Sequence, residues 1–223
     1  MFGMSIHMPK REQKTAAPWV PPSPTIPKLR DAAAGCRGCD LWTRGTQTVF
    51  GEGGGAKPRV MFVGEQPGDH EDIQGRPFVG PAGKILDKAL EEAGINRKEV
   101  YVTNAVKHFK WEPRGKRRIH KKPNSMEIMA CKPWIEAEID VIRPEVIVCL
   151  GATAAQALLG RQFKVSTQRG VWIPSPLAPF VMATVHPSSL LRAPDDETRR
   201  LEIKRFIADL KLIHEVLEKQ KAA

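Results

Sequence analysis

The sequence predicts an α/β domain of three layers, in which helices cover both faces of a central, mostly parallel four-stranded sheet. Three observations support this fold class. Four short apolar runs alternate with helical patterns, as in sheets whose strands are buried on both faces. Polar motifs follow the ends of these runs, where parallel sheets place their ligand sites. A chain of 223 residues with 41% hydrophobic residues is long enough to bury a full core.

The chain starts with a segment rich in proline that shows no helical or strand period. We expect a flexible basic arm over 1–28 and a single domain over 29–223. No run of about 18 apolar residues occurs, so no membrane contact is expected. The N-terminus also has no apolar leader, which predicts a cytoplasmic protein. The absence of a coiled-coil pattern favours a monomer.

The elements follow one another in alternating order. The first strand is predicted over 59–63, and a helix follows over 81–93. Further strands are predicted over 100–102, 146–150 and 180–185, and an alanine-rich helix follows the third strand. An amphipathic helix closes the chain, with an apolar face made of Leu201, Phe206, Leu210, Ile213 and Leu217. Because parallel strands end along one edge, the motifs GEQPGD, TNAVKH, GATAA and HPSSLLR are expected to meet in one crevice.

Positive charge is concentrated in one part of the sequence. The net charge is +10, and eight lysines and arginines fall within residues 107–122. A solvated basic surface would also explain this pattern. A cluster of this density nevertheless favours a polyanion, since lysine and arginine release phosphate counterions on binding. We therefore expect nucleic acid as the partner.

Four cysteines allow three interpretations. Cys36 and Cys39 form a CxxC pair, whereas Cys131 and Cys149 stand alone far downstream. A cytosolic chain seldom uses cysteines as disulfides. The spacing is compatible with a zinc site, with a [4Fe–4S] cluster, or with core packing of the two lone cysteines. The spacing alone does not choose among them.

The motif GEQPGDHEDIQGRPFVGPAGK over 64–84, together with TNAVK and HPSSL, resembles the uracil-DNA glycosylase superfamily in its iron–sulfur branch. The resemblance covers nearly all of 29–215. It implies that uracil-containing DNA, single- or double-stranded, is the substrate. It also implies a structural [4Fe–4S] cluster bound by Cys36, Cys39, Cys131 and Cys149.

Removal of uracil needs a site for a flipped base, with charge developing on both the sugar and the base. The resemblance implies that Phe78 stacks on the base and that Asn104 reads its N3 and O4 edge. His186 would donate to O2 and stabilise the departing anion. Each of the three has a purely structural alternative. The remaining implied residues are Gln66 and Asp69 near the base or a water, Ser188 at a phosphate, and Arg192 in the vacated stack.

The segment GKRRIH over 115–120 has two interpretations. On charge alone it is a basic loop that binds phosphate. Together with GEQPGD, it resembles the UdgX-type members, which bond covalently to DNA. That resemblance implies that His120 attacks C1′ of the sugar before water does, while Glu65 orients the imidazole. Its implied phosphate anchors are Lys116, Arg117 and Arg118.

Two alternatives to covalent trapping remain open. If His120 lies too far from C1′, the protein would be an iron–sulfur uracil-DNA glycosylase that releases uracil and turns over. If Glu65, His120 and His186 are misplaced, it would be a module that binds uracil-containing DNA without cleaving it.

Overall fold

The computed structural model describes residues 14–222. The strands are β1 (Glu52–Gly53), β2 (Val60–Gly64), β3 (Val100–Asn104), β4 (Trp111–Arg114), β5 (Arg117–His120), β6 (Val146–Leu150) and β7 (Phe180–Thr184). The α-helices are α1 (Ile26–Ala34), α2 (Asp69–Gln74), α3 (Pro81–Glu92), α4 (Ser125–Ile142), α5 (Ala152–Leu159), α6 (Val165–Gln168), α7 (Pro187–Leu190) and α8 (Asp196–Ala222). Short 3₁₀ turns cover Ala17–Trp19, Asp40–Thr43 and Arg97–Glu99.

The central sheet has five strands in the order β1-β3-β2-β6-β7. Three of its four strand pairings are parallel, and the fourth joins the edge strand β1 to β3 in the antiparallel sense. The predicted fold class is confirmed, but the sheet has one strand more than the expected four. The extra strand is two residues long, and a Glu-Gly pair carries no apolar period that would mark it in a sequence.

Two hydrophobic cores lie on opposite faces of this sheet. Side chains alternate along each strand, so Val60 and Phe62 enter one core while Met61 and Val63 enter the other. The first core is closed by α3 and α8, and the second by α4, α5 and α6. Because both faces are covered, all five residues of β2 are buried.

A third, smaller core joins the N-terminal segment to α4. Ala16 is buried there, and its N–H donates to the carbonyl of Ala130 at 2.7 Å. Helix α1 begins at Ile26, with Pro27 in the first turn, where a missing N–H is tolerated. Ala16, Trp19, Val20 and Ile26 thus pack in this core, within the segment where a flexible arm is expected. Residues 1–13 lie outside the described part, and the division at residue 28 stays a prediction.

Strands β4 and β5 form a separate two-stranded sheet, referred to below as the hairpin (111–120). It stands between β3 and α4, and Trp111 lies opposite His120 in its register. Helix α4 follows it, capped by Asn124 and Glu127, whose side chains each accept from the other's N–H. Within residues 14–222, no helix is both long and apolar enough to cross a bilayer.

Candidate active site

A cavity of about 700 Å³ opens where four strands of the central sheet end. Residues after β2, β6 and β7, the last residue of β3 and the end of the hairpin all reach it, as expected for a parallel sheet. The lining residues are Glu65, Gln66, Gly68, Glu71, Phe78, Ala82, Asn104, His120, Lys122, Gly151, Ala152, Thr153, Val165, Val185, His186, Ser188, Ser189 and Arg192.

The floor of the cavity is made by Phe78 and Asn104, which meet over Gly64. A Cβ atom at Gly64 would lie 2.3 Å from Asn104 Oδ1 and 2.8 Å from Phe78 Cζ, so only glycine permits this approach. The Phe78 ring stacks with the His186 ring at a centroid distance of 6.1 Å and an angle of 29°. Asn104 is buried, and its side-chain amide makes no hydrogen bond to any described residue. An aromatic face and a free amide are therefore available to a planar polar ligand.

Glu71 holds the loop that carries Phe78. Its carboxylate accepts from the N–H of Gly68 at 3.0 Å and from the N–H of Gly80 at 3.0 Å. Phe78 has a φ of 57°, a left-handed backbone that is unfavourable for an aromatic residue. The two hydrogen bonds of Glu71 join Gly68 and Gly80, on either side of Phe78, and so maintain this conformation. The sequence did not single out Glu71, although the G-x-x-E spacing is that of a capping box.

His186 is held as a neutral donor at the cavity. Burial lowers its pKa to about 4, and the positive charge of Arg192 acts in the same direction. Its Nδ1 accepts from the N–H of Ser188 at 3.1 Å and lies 2.8 Å from Ser188 Oγ. Since Nδ1 is an acceptor, the ring proton resides on Nε2. That proton is suited to an oxygen that gains negative charge.

His120 reaches the same cavity from the end of the hairpin. Its Nε2 lies 3.4 Å from Glu65 Oε1, and the other oxygen of Glu65 accepts from the hydroxyl of Thr153. Burial lowers the pKa of His120, although the carboxylate of Glu65 opposes this effect. A neutral imidazole therefore faces a carboxylate that is itself oriented by a neighbouring hydroxyl. This pair can act as a nucleophile with its orienting base.

Comparison with known proteins identifies the family. A family model described as the uracil DNA glycosylase superfamily matches residues 50–211, which is more than half of the chain. The chain belongs to the uracil-DNA glycosylase superfamily. The resemblance seen in the sequence is thereby confirmed at the level of the superfamily.

Individual relatives in this superfamily cover most of the chain. A Type-4 uracil-DNA glycosylase of Thermotoga maritima is 41% identical over 170 residues, which are 76% of this chain and 84% of the relative. A Type-4 uracil-DNA glycosylase of Sulfurisphaera tokodaii is 37% identical over 179 residues, or 77% and 78% of the two chains. A Type-5 uracil-DNA glycosylase of Thermus thermophilus is 31% identical over 191 residues, or 77% and 80%.

Gln66 anchors the hairpin to the loop that follows β2. Its amide donates to the carbonyls of Lys110 at 3.2 Å and Lys121 at 3.1 Å, and its oxygen accepts from the N–H of Lys110. Gln66 thus binds the two chain segments that flank the hairpin. The residue lines the cavity as the sequence suggested, but its amide is already occupied by this contact.

Arg118 and Asp69 lie against each other instead of facing DNA and base. Arg118 Nε is 2.6 Å from Asp69, and its Nη1 is 2.5 Å from the fully buried Asp72. The guanidinium also lies over the rings of Phe109 and Trp111. Asp69 is not among the cavity-lining residues. The geometry gives both residues a part in docking the hairpin, which the sequence did not predict.

The remaining predicted DNA contacts occupy two places. Lys116 and Arg117 are exposed at the hairpin turn and have no carboxylate partner within residues 14–222. Arg192 and Ser188 line the cavity mouth, where Arg192 Nη1 lies 3.2 Å from Ser188 Oγ. Lys122, which the sequence did not single out, lines the same mouth.

Three of the four cysteines come together, and the fourth does not. Cys36, Cys39 and Cys131 lie in the third core and border one small cavity, together with His108. Cys149 is buried in the core on the second face of the sheet, where burial alone raises its pKa to about 12. The expected four-cysteine set is therefore not assembled, because Cys149 lies on β6 and no residue of β6 belongs to the third core.

The electrostatics agree with this grouping. Burial raises the pKa of Cys131 to about 12, and Cys39 and Cys36 add to the shift through their proximity. The N–H of Lys107 donates to Cys131 Sγ at 3.3 Å. Among the described residues, no three histidine, cysteine or acidic side chains converge closely enough to hold a single metal ion.

Proposed function

We propose that this protein excises uracil from DNA and then bonds His120 to C1′ of the abasic sugar. The observation that carries the proposal is the His120–Glu65 pair, 3.4 Å apart, inside the cavity that also holds Phe78, Asn104 and His186. The named activity of the Type-4 and Type-5 relatives supports the excision step. The covalent step rests on the chemistry of this pair.

In the base site, Phe78 would stack on the flipped uracil and Asn104 would pair with its N3 and O4 edge. The free side-chain amide of Asn104 offers one donor and one acceptor, which match uracil and mismatch cytosine. When the N1–C1′ bond breaks, its electron pair leaves with the base. His186 would then donate its Nε2 proton in a hydrogen bond to O2 of the uracil anion.

The sugar is left as an oxocarbenium ion, which is a strong electrophile at C1′. With one ring nitrogen of His120 keeping its proton towards Glu65, the opposite nitrogen holds a lone pair and forms the N–C1′ bond. The ring becomes an imidazolium, and its proton passes to the carboxylate of Glu65. Thr153 orients that carboxylate through its hydroxyl. No redox change is needed.

DNA would be held by the exposed hairpin turn and by the cavity mouth. Lys116 and Arg117 have no carboxylate partner among the described residues and would contact phosphates, as would Ser188 and Arg192 beside the flipped nucleotide. Arg118 would act indirectly. Its ion pairs with Asp69 and Asp72 hold the strand that ends at His120.

We further propose that a structural [4Fe–4S] cluster is held by Cys36, Cys39 and Cys131, with His108 in the place expected for Cys149. All four side chains border the same small cavity and are buried. Thiolates and imidazole are both known ligands of iron–sulfur clusters. The cluster would tie the CxxC segment to α4. The cytoplasmic location and the monomeric state stay predictions.

The test is a gel assay. The protein is incubated with a uracil-containing single-stranded oligonucleotide, boiled in SDS and examined for a slower protein–DNA band. We expect a band for the wild type and for the control His214→Ser on α8, which lies outside the cavity, but free uracil without a band for His120→Ser, since water then reaches C1′.

Two other outcomes would overturn the proposal in part or in whole. Alkali-sensitive strand breaks without a band would mean an ordinary glycosylase that releases its product. The side chain of His120 is half-exposed, so water could reach C1′ in its place. Retained binding with neither a band nor strand breaks would mean a uracil-DNA binding protein without catalysis.

A further inference from the structure

We propose that the turn around Trp42 is a second DNA-binding site, on which an unpaired base of the strand flanking the uracil stacks. The inference extends the proposed function to the part of the chain that holds the CxxC pair. Trp42 lies in the 3₁₀ turn Asp40–Thr43, directly after Cys39.

Trp42 presents an aromatic ring at the surface beside a cation. Its side chain is 39% exposed, although most of the large apolar residues of the protein are buried. The guanidinium carbon of Arg37 lies 4.7 Å from the centre of the Trp42 ring. This arrangement leaves one ring face covered by a positive charge and strengthens the ring as a platform for a base.

The charges near this turn are not neutralised locally. Neither Arg37 nor Arg44 forms an ion pair with a carboxylate in the part of the chain that the structure describes. The acidic residue of the turn, Asp40, is paired with Lys14. Two guanidinium groups without a carboxylate partner among the described residues therefore lie within five residues of an exposed indole, which is the composition of a site for a nucleic-acid strand.

The turn is continuous with the proposed active site. Trp111 Nε1 donates to the carbonyl of Arg44 at 2.8 Å, which fastens the hairpin to this segment. On the neighbouring strand of the hairpin, His120 lies opposite Trp111 and enters the cavity. A strand that leaves the cavity along this side of the hairpin thus meets Arg44 and then Trp42.

The chemistry of the site selects single-stranded DNA. A base can stack on an indole only when its own face is not covered by a neighbour in a duplex. The phosphates between the cavity and Trp42 would lie along the unpaired arginines and the hairpin turn. We therefore expect the affinity for single strands to depend on Trp42 even when no uracil is present.

The first measurement is the fluorescence anisotropy of a labelled, uracil-free single-stranded oligonucleotide. We expect Trp42→Ala to weaken binding by about 5- to 150-fold, because one base–aromatic stack is lost. Trp42→Phe keeps a ring and should bind within about threefold of the wild type. Leu201→Ala, which removes an exposed apolar side chain from α8, should not change the affinity.

The salt dependence tests the charged half of the site. Arg37→Gln should reduce the slope of log K against log salt by about 0.7, as expected for one lost contact to a single strand. Lys219→Gln, on the far end of α8, should leave the slope unchanged. An unchanged affinity for Trp42→Ala at an unchanged melting temperature would overturn the inference.

Failure of the proposed function is detected separately. The wild type alone is tested with a uracil-containing oligonucleotide for a covalent band or for strand breaks. If neither a band nor strand breaks appear, the glycosylase activity is refuted. Weaker binding of uracil-free DNA by Trp42→Ala would in that case still support this site. A band with equal binding by both proteins would support the activity and refute the site.

Discussion

Replacement of Lys107 by methionine should destabilise this protein more than most single substitutions. Lys107 and Glu138 form an ion pair in which both side chains are almost completely buried, at 1% and 0% exposure. Removal of one partner leaves an uncompensated buried charge, for which we expect a loss of about 3–5 kcal/mol. Tyr101 and Thr103 still donate to Glu138 at 2.8 and 2.9 Å, which favours the lower end of this range. The melting temperature of a chain of this size should fall by roughly 6–20 °C.

The assay is urea denaturation of Lys107→Met, Glu138→Gln and the double variant at pH 7. A glutamine at 138 can accept the hydrogen bonds of Tyr101 and Thr103 without a charge. The double variant should therefore be more stable than Lys107→Met alone by about 1–3 kcal/mol. Lys107 also donates to the carbonyl of Asn104 at 2.9 Å, so the DNA concentration that half-saturates single-turnover uracil release should rise in Lys107→Met.

Two results would refute this reasoning. A loss of stability below about 1 kcal/mol for Lys107→Met would mean that Glu138 tolerates the buried site without its cation. Additive losses in the double variant would mean that the two side chains do not stabilise each other.

Three further predictions concern the loop, the hairpin and pH. Arg118→Gln should lose about 2–4 kcal/mol in urea denaturation, since Asp72 is left buried without its cation; an unchanged midpoint would contradict this role. Glu71→Gln should lose about 1–3 kcal/mol and raise the DNA concentration that half-saturates single-turnover uracil release, because an amide cannot accept from both loop N–H groups; an unchanged half-saturating concentration would show that Glu71 does not position Phe78. Burial lowers the pKa of His186 from 6.5 to about 4, so the unfolded state binds more protons between these values and stability should fall as pH drops through this window. His186→Asn should flatten that slope in denaturation at pH 4 to 7, and an equal slope would contradict the assignment.

The sequence predicted the features that depend on local pattern. Apolar runs and helical spacing were sufficient for the three-layer fold, and the strand ends do converge on one cavity. Phe78, Asn104 and His186 lie together there because each follows or ends a parallel strand or its loop. Their chemical roles stay predictions.

The features that the sequence did not predict depend on which side chains meet in three dimensions. Arg118 and Asp72 both look like exposed charges in a sequence, and only their ion pair shows that they hold the hairpin. Cys149 looks equivalent to Cys131 by spacing, but it lies on a strand of the central sheet, none of whose residues belongs to the core that holds Cys131. Strand β1 was missed because its two residues carry no pattern of their own.

The docking of the hairpin limits how its chemistry could be transplanted. An isolated two-stranded hairpin is at best marginally stable in water, so this one depends on contacts with the rest of the domain. Three such contacts are the hydrogen bond from the amide of Gln66 to the base of the hairpin, the hydrogen bond from Trp111 to the carbonyl of Arg44, and the ion pair between Arg118 and Asp72. If residues 115–120 alone were grafted onto another glycosylase, the imidazole of His120 would lack the contacts that position it. Transfer of the proposed trapping chemistry to another protein would therefore require these three contacts as well.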